Sequence, residues 1–406
     1  LAALLTYENG KNRYEAIADV DEAIDFMRYY ADEMDSNEGY TTRMKSAYPD
    51  ELCYSVMKPY GVFAVISPFN FPIAITTGMC SAALVTGNTV VLKPASDTPL
   101  SAFMICKIMY DAGLPESVLN LVTGSGSIVG NALVASDDVD GIAFTGSKEV
   151  GLNIYYTGNA KRPKPIIMEM GGKNPTMVSS KADLRKAVEG VARAAFGYSG
   201  QKCSACSRVY VQRDVYDEFV SRLVEYTSEL KVGNPIERDT FMGPLINKSA
   251  YDKYSRYAAT VSRECRVLYG AEEVTDGDMR YGYYVKPTIV TDIPAGHEIL
   301  REELFLPLLA VVKYSELGEA LEMCNDSIYA LTAGIYSNDE EEIRAFLEGI
   351  EAGVVYVNRG RSATTGAMVG SQPFVGWKYS GTSGKGTGSK YYLQLFMREQ
   401  SQTICA

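Results

Sequence analysis

The chain has 406 residues, 46% of them hydrophobic and 22% charged, with a formal net charge of −11. That length supports two or three domains with a large core. The acidic balance offers no phosphate-neutralising surface, so no nucleic-acid partner is expected.

Eight scattered cysteines lack the dense spacing of a disulfide scaffold, which points to a reducing cytoplasm. The only histidine is His297, so no Ser/His or Cys/His catalytic couple is expected near Cys203. Cys203 and Cys206 are the only close cysteine pair, so no metal shell is expected either. No signal peptide is read in Leu1–Leu5. The apolar stretch 61–92 is broken by Pro68, Asn70 and Pro72, which argues for strand and helix and against a membrane span. Because the chain starts with Leu1, an N-terminal piece is expected to precede it.

In chain order, residues 19–34 carry apolar side chains at helical spacing, and residues 40–58 read as a β-hairpin arm turning near Tyr48-Pro49-Asp50. From Gly61 strands at 62–66, 89–93, 119–123, 141–144 and 166–170 alternate with helices at 73–85, 100–112 and 127–135. Such alternation means parallel βαβ units covered on both faces. A second series has strands at 176–178, 209–211, 308–313, 332–336 and 354–357, with helices at 182–196, 214–230, 316–324 and 338–348. The tail from Gly376 is glycine-rich and then β-like at 393–397 and 402–405. Two α/β domains result, with arms suited to assembly.

Between the 184–196 helix and the 209–211 strand lies Gly197-Tyr198-Ser199-Gly200-Gln201-Lys202-Cys203. Its glycines and small polar residues make a turn that presents a side chain, and a thiol beside cationic and amide donors ionises more readily. Cys203 is therefore either a nucleophile or a small buried hydrophobe. Other strand ends carry polar groups. Asn70, in Ser67-Pro68-Phe69-Asn70-Phe71-Pro72, is an oxyanion donor or a turn residue. Lys93 ends a strand. Gly124-Ser125-Gly126-Ser127-Ile128-Val129-Gly130 follows a strand with near-dinucleotide spacing. Phe144-Thr145-Gly146-Ser147 repeats that placement. Glu169, in Met168-Glu169-Met170-Gly171-Gly172-Lys173, is a buried general base or a solvated strand-end acid.

Taken together and in order, these stretches resemble the aldehyde dehydrogenase superfamily from about Ile17 onward, with Glu302-Glu303-Leu304-Phe305-Leu306-Pro307 matching a cofactor segment of that family. The resemblance implies an α/β fold of that type: a Rossmann-type NAD(P)-binding domain over 1–170 with its bridging arm at 40–58, a catalytic domain over 171–375, and a return segment with a C-terminal bridging strand over 376–406. It also implies that early parts of the cofactor domain precede Leu1, and that the chain is a homodimer or larger assembly.

By the same resemblance, Cys203 is the nucleophile, Asn70 and the Cys203 backbone N–H hold the oxyanion, and Glu169 activates the hydrolytic water. NAD, with NADP as an alternative, would lie along Ser67, Pro68, Phe69, Lys93, Ser96, Gly126, Gly130, Thr145, Gly146, Ser147, Val150, Glu303 and Phe305. Gly200–Arg208 and Thr365–Phe374 are most similar to the branch acting on 1-pyrroline-5-carboxylate, the cyclic form of L-glutamate-γ-semialdehyde. There Ser204, Gly366 and Ala367 would grip the α-carboxylate, and Phe71 and Phe374 would wall the aliphatic part. Another semialdehyde, a plain aliphatic aldehyde or a non-catalytic role are the alternatives. Three residues depart from the family pattern: Ser96 where an acid is frequent, and Leu306 and Val375 where glycine is usual.

Overall fold

Strands that are apolar on both faces are satisfied only when both faces are covered. The computed structural model describes residues 1–366 and 368–405, and Ala367 lies outside the described residues. Its first sheet has five parallel strands in the order Leu119–Leu121, Thr89–Lys93, Val62–Ile66, Gly141–Thr145 and Ile166–Glu169. Phe63 and Val65 point to one face and pack with Met79 and Ala83 of the Ala74–Val85 helix. Ala64 and Ile66 point to the other and pack with Val134 and Ile154.

The second sheet has seven strands in the order Arg266–Tyr269, Thr288–Thr291, Leu308–Tyr314, Cys206–Gln212, Asn174–Val178, Thr332–Tyr336 and Val354–Val357. All are parallel to their neighbours except Arg266–Tyr269, which is antiparallel. Helices Leu184–Phe196 and Tyr216–Ser228 cover one face, and Leu317–Asn325 and Glu340–Gly349 the other. In a parallel sheet the loops after the strand C-termini gather along one edge, where ligands of α/β folds bind. Every strand-end motif noted above therefore falls on such an edge.

A third sheet is antiparallel: Thr41–Arg43, Glu51–Pro59 and Met397–Cys405, with Met397 opposite Pro59 and Cys405 opposite Glu51. Apart from the buried Met397, the side chains of its two outer strands are exposed or half-buried.

Several boundaries differ from expectation. The first long helix is Arg13–Ser36, capped by Asn12. The expected 127–135 helix opens with a wider π turn, Gly126–Gly130, before Asn131–Ala135. The expected β segment at 393–397 is a 3-10 turn, Leu393–Phe396, whose Leu393 and Phe396 are buried in the first core; the strand starts at Met397. Three helices, Ala2–Asn9, Lys148–Gly158 and Lys248–Glu264, were not expected. Leu306 is buried with Val261 and Ile299, so its side chain has a place in the core.

Candidate active site

Three successive residues before the thiol adopt left-handed backbone: Tyr198 (φ 48°), Ser199 (φ 55°) and Gly200 (φ 68°). Such a run is strained for side-chain-bearing residues and needs surrounding bonds to hold it. Those bonds are present. The Tyr198 hydroxyl donates to Asn9 O at 2.9 Å, Ser199 Oγ donates to Gly243 O at 2.8 Å, and Gln201 Oε1 accepts from Ile246 N at 2.9 Å. Gly200 is required, because a Cβ there would collide with the Leu306 carbonyl.

Past the turn, Asn174 secures the loop: its Nδ2 donates to Cys203 O (2.6 Å) and Ala205 O (2.9 Å), and its Oδ1 accepts from Thr332 N at 3.0 Å. Thr364 Oγ1 donates to Ser204 O at 2.6 Å. Sequence reasoning missed Asn174. It follows the Gly-Gly-Lys stretch directly, and only the fold reveals its reach to the nucleophile loop.

Cys203 opens into a cavity together with Glu169, Phe71, Ser204, Gly366, Phe374 and Thr145. Burial first, and then the carboxyls of Glu169 and Glu303, push the Cys203 thiol up, while the N–H groups of Ser204 and Cys203 oppose the shift. Burial also holds the Glu169 carboxyl well above the usual carboxylate range, and its Oε1 is buried without a partner. Glu169 ends its strand beside the return segment: Met170 N donates to Ser380 O at 2.8 Å, and Gly146 N to Glu169 O at 3.2 Å. Asn70 is buried, with its Nδ2 donating to Gln201 O at 3.1 Å, two residues before the thiol. That bond leaves the second amide hydrogen for another acceptor.

Glu22 also lines this cavity, and sequence reasoning missed it: within the amphipathic helix it reads as one more surface acid. Burial and then Asp19 raise its carboxyl to about 8, with Lys11 acting in the opposite direction.

The expected cofactor residues sit on the edge of the first sheet and beside it. Ser67 N donates to Lys93 O at 3.1 Å, and Ser67 Oγ is buried without a partner. The Phe69 ring meets Phe305 edge-on at 5.8 Å. Lys93 is buried, its Nζ donating to Pro94 O at 2.8 Å, and burial lowers its pKa. Gly130 lies against the Lys93 side chain, Gly126 faces open space, and Pro68 is half-buried. Ser147 caps the Lys148–Gly158 helix by accepting from Val150 N, while Ser96 and Val150 are exposed.

Glu303 accepts from Gly172 N at 2.9 Å; burial raises it to about 7. Behind it Lys173 is lowered to about 7 by burial and then by Arg208. Arg208 is itself fully buried and donates to the carbonyls of Lys173 (2.6 Å), Cys324 (2.9 Å) and Met323 (3.1 Å). Two of these acceptors close the Leu317–Asn325 helix, where a cation is favoured. No group able to hold a metal is found among the described residues.

A strained thiol turn, a buried carboxyl across a shared cavity and a parallel sheet edge alongside define an enzyme site. The chain belongs to the Aldehyde dehydrogenase family, whose profile matches residues 1–401. Among its relatives is the 1-pyrroline-5-carboxylate dehydrogenase of Anoxybacillus flavithermus, 43% identical over 99% of this chain and 77% of that protein. A solved 1-pyrroline-5-carboxylate dehydrogenase from Thermus with bound NAD superposes with a TM-score of 0.93 at 38% identity, covering all of this chain and 78% of that one. Proline utilization A from Bdellovibrio bacteriovorus gives a TM-score of 0.93 at 40% identity; this chain spans 42% of that longer protein.

Proposed function

We propose that the chain oxidises L-glutamate-γ-semialdehyde, in equilibrium with 1-pyrroline-5-carboxylate, to L-glutamate with NAD, a step of proline catabolism. The observation that carries this reading is the composition of the cavity that Cys203 opens into. It joins the thiol and the carboxyl base to a further carboxyl, Glu22, and to Ser204 and Gly366. A substrate bearing an aldehyde, an α-ammonium and an α-carboxylate matches that set: Glu22 complements the ammonium, and hydroxyl and backbone N–H donors take the carboxylate. The relatives' names support the same substrate.

Lys93, Glu303, Ser147 and the partnerless Ser67 Oγ fit a dinucleotide, whose nicotinamide supplies the hydride acceptor when bound. Ser96 is neutral and exposed, so it does not itself repel a 2′-phosphate, and NADP is the second cofactor to assay. In the chain's own chemistry, the Cys203 thiol gives up its proton and the thiolate sulfur adds to the aldehyde carbon as the C=O π bond opens onto oxygen. The developing oxyanion is held by the free amide hydrogen of Asn70 and the Cys203 N–H. Once the acyl thioester stands on Cys203, Glu169 takes a proton from water as that water attacks the acyl carbon, and the thiolate leaves. Phe71 and Phe374 wall the aliphatic chain and exclude bulk water.

The exposed three-stranded arm supports a homodimer or larger assembly, since its outer strand, Met397–Cys405, offers an edge for pairing. Eight free cysteines support a cytoplasmic location. Among the described residues no helix is long and apolar enough to cross a membrane.

Reduction of NAD and NADP with pyrroline-5-carboxylate, succinate semialdehyde and propanal tests the reading. Preference for pyrroline-5-carboxylate, with competition by free glutamate, is expected. Equal use of propanal, unaffected by glutamate, would move the substrate to plain aldehydes.

A further inference from the structure

The cavity and the outer groove share three residues, Glu22, Phe71 and Gly366, which form the neck between them. Behind two of these lies an ion pair sealed from solvent: Lys11 Nζ is 2.7 Å from Asp19 Oδ2, and both side chains are 0% exposed. A buried pair is often no more stabilising than apolar residues of the same size, so stability alone does not account for it.

Both members are tied to the neck. The Lys11 ammonium stands 3.7 Å from the centroid of the Phe71 ring and 5.2 Å from that of Tyr198, in the strained turn before the thiol. Asp19 precedes Glu22 by three residues on the Arg13–Ser36 helix, a spacing that puts them on one face. Its Oδ1 accepts from Ala74 N at 2.7 Å, at the start of the helix that follows Phe71.

We propose that Lys11 and Asp19 are positioning residues of the neck: the pair fixes the Phe71 ring and sets the field at Glu22, so that the opening favours an ammonium-bearing substrate over a neutral aldehyde. The inference rests on the reading of Glu22 given above and deepens it. Of the pair, Asp19 raises the Glu22 carboxyl and Lys11 lowers it. On its own helix Glu22 also has Glu15, Asp21 and Asp25 as charged neighbours on the groove, and Lys202 faces it from the nucleophile loop. Across the cavity stand Glu169, Cys203, Tyr392 and Lys385. Arg13 opens the same helix, and Arg193, Arg238, Asp239, Arg359 and Arg361 line the groove from other elements. None of these groups is itself altered by replacing Lys11 or Asp19, so the two replacements should move Glu22 in opposite senses.

The test needs no turnover. The rate at which Cys203 is modified by 2-(trimethylammonium)ethyl methanethiosulfonate, divided by the rate for neutral methyl methanethiosulfonate, reads the charge at the neck. The thiol's own titration cancels in the ratio, and peptide mass spectrometry separates Cys203 from the other cysteines. In the wild type the ratio should rise as pH passes about 8, where Glu22 ionises. Lys11→Met should move that rise to higher pH and Asp19→Asn to lower pH, each by about half a unit or more. The double variant Lys11→Met/Asp19→Asn leaves no lone buried charge and covers the case where a single variant does not fold. Its rise should fall between those of the two single variants, because the two opposing influences are removed together. A flat wild-type ratio, or an unmoved rise in folded single variants, would overturn the proposal. Failure of the substrate reading shows separately, as wild-type turnover without preference for pyrroline-5-carboxylate.

Discussion

Cys203 and Glu169 share one cavity, and burial disfavours the charged form of each. The neutral form of each is therefore favoured. The base works only after losing its proton. Because its carboxyl is raised, the ionised fraction grows as pH climbs, and turnover should increase from neutral to alkaline pH. Glu169→Gln should lose turnover and with it this rise; a wild-type profile that falls over the same range would contradict the assignment. Asn174 makes a different contribution. Its side chain satisfies the carbonyls of Cys203 and Ala205 and the N–H of Thr332. Asn174→Ala orphans these buried groups and should cost about 1–3 kcal/mol, with kcat falling more than KM rises. Denaturant unfolding and steady-state kinetics check both.

Close approach of backbones sets the site at the level of elements. The turn after the Ile166–Glu169 strand passes directly under the nucleophile loop, and a Cβ on Gly172 would stand 2.5 Å from the Cys203 carbonyl. Gly172→Ala must push the two loops apart, and a displacement of that size should lower kcat by about 100-fold. Retention of full activity would mean that the two loops are not held against each other in catalysis.

This geometry also explains what the sequence revealed. The five strands of the first sheet were readable because each is a short apolar run between turn signals, and their parallel order brings Asn70, Lys93, Ser147 and Glu169 to one edge. The Lys248–Glu264 helix was not readable as apolar, because its buried face is Tyr254, Tyr257, Ala258 and Val261 among charged residues. The tail segment 393–397 looked like strand from its apolar content, whereas Leu393 and Phe396 are drawn into the first core as a tight turn. Glu22, Asn174 and the Lys11–Asp19 pair were hidden for one reason: each acts on residues far away in sequence.

On the scale of the whole molecule, the arm sheet is rooted in the first core by Met57 and Met397 and is otherwise open to solvent along its outer strands. It leaves Leu52 40% and Ile404 54% exposed on strands Glu51–Pro59 and Met397–Cys405. Apolar side chains on an edge strand are a liability unless another chain covers them. Ile404→Asp should shift the protein to a smaller species in light scattering while leaving its secondary structure unchanged; an unaltered mass would remove the arm from assembly. The central claim concerns the chemistry that the two α/β sheets bring together, and one measurement reaches nucleophile, base and substrate at once. Glu169→Gln protein, incubated with NAD and pyrroline-5-carboxylate and quenched in acid, should carry a glutamyl thioester on the Cys203 peptide by mass spectrometry, formed with one equivalent of NADH. Absence of that adduct, or its appearance on another cysteine, would contradict the account.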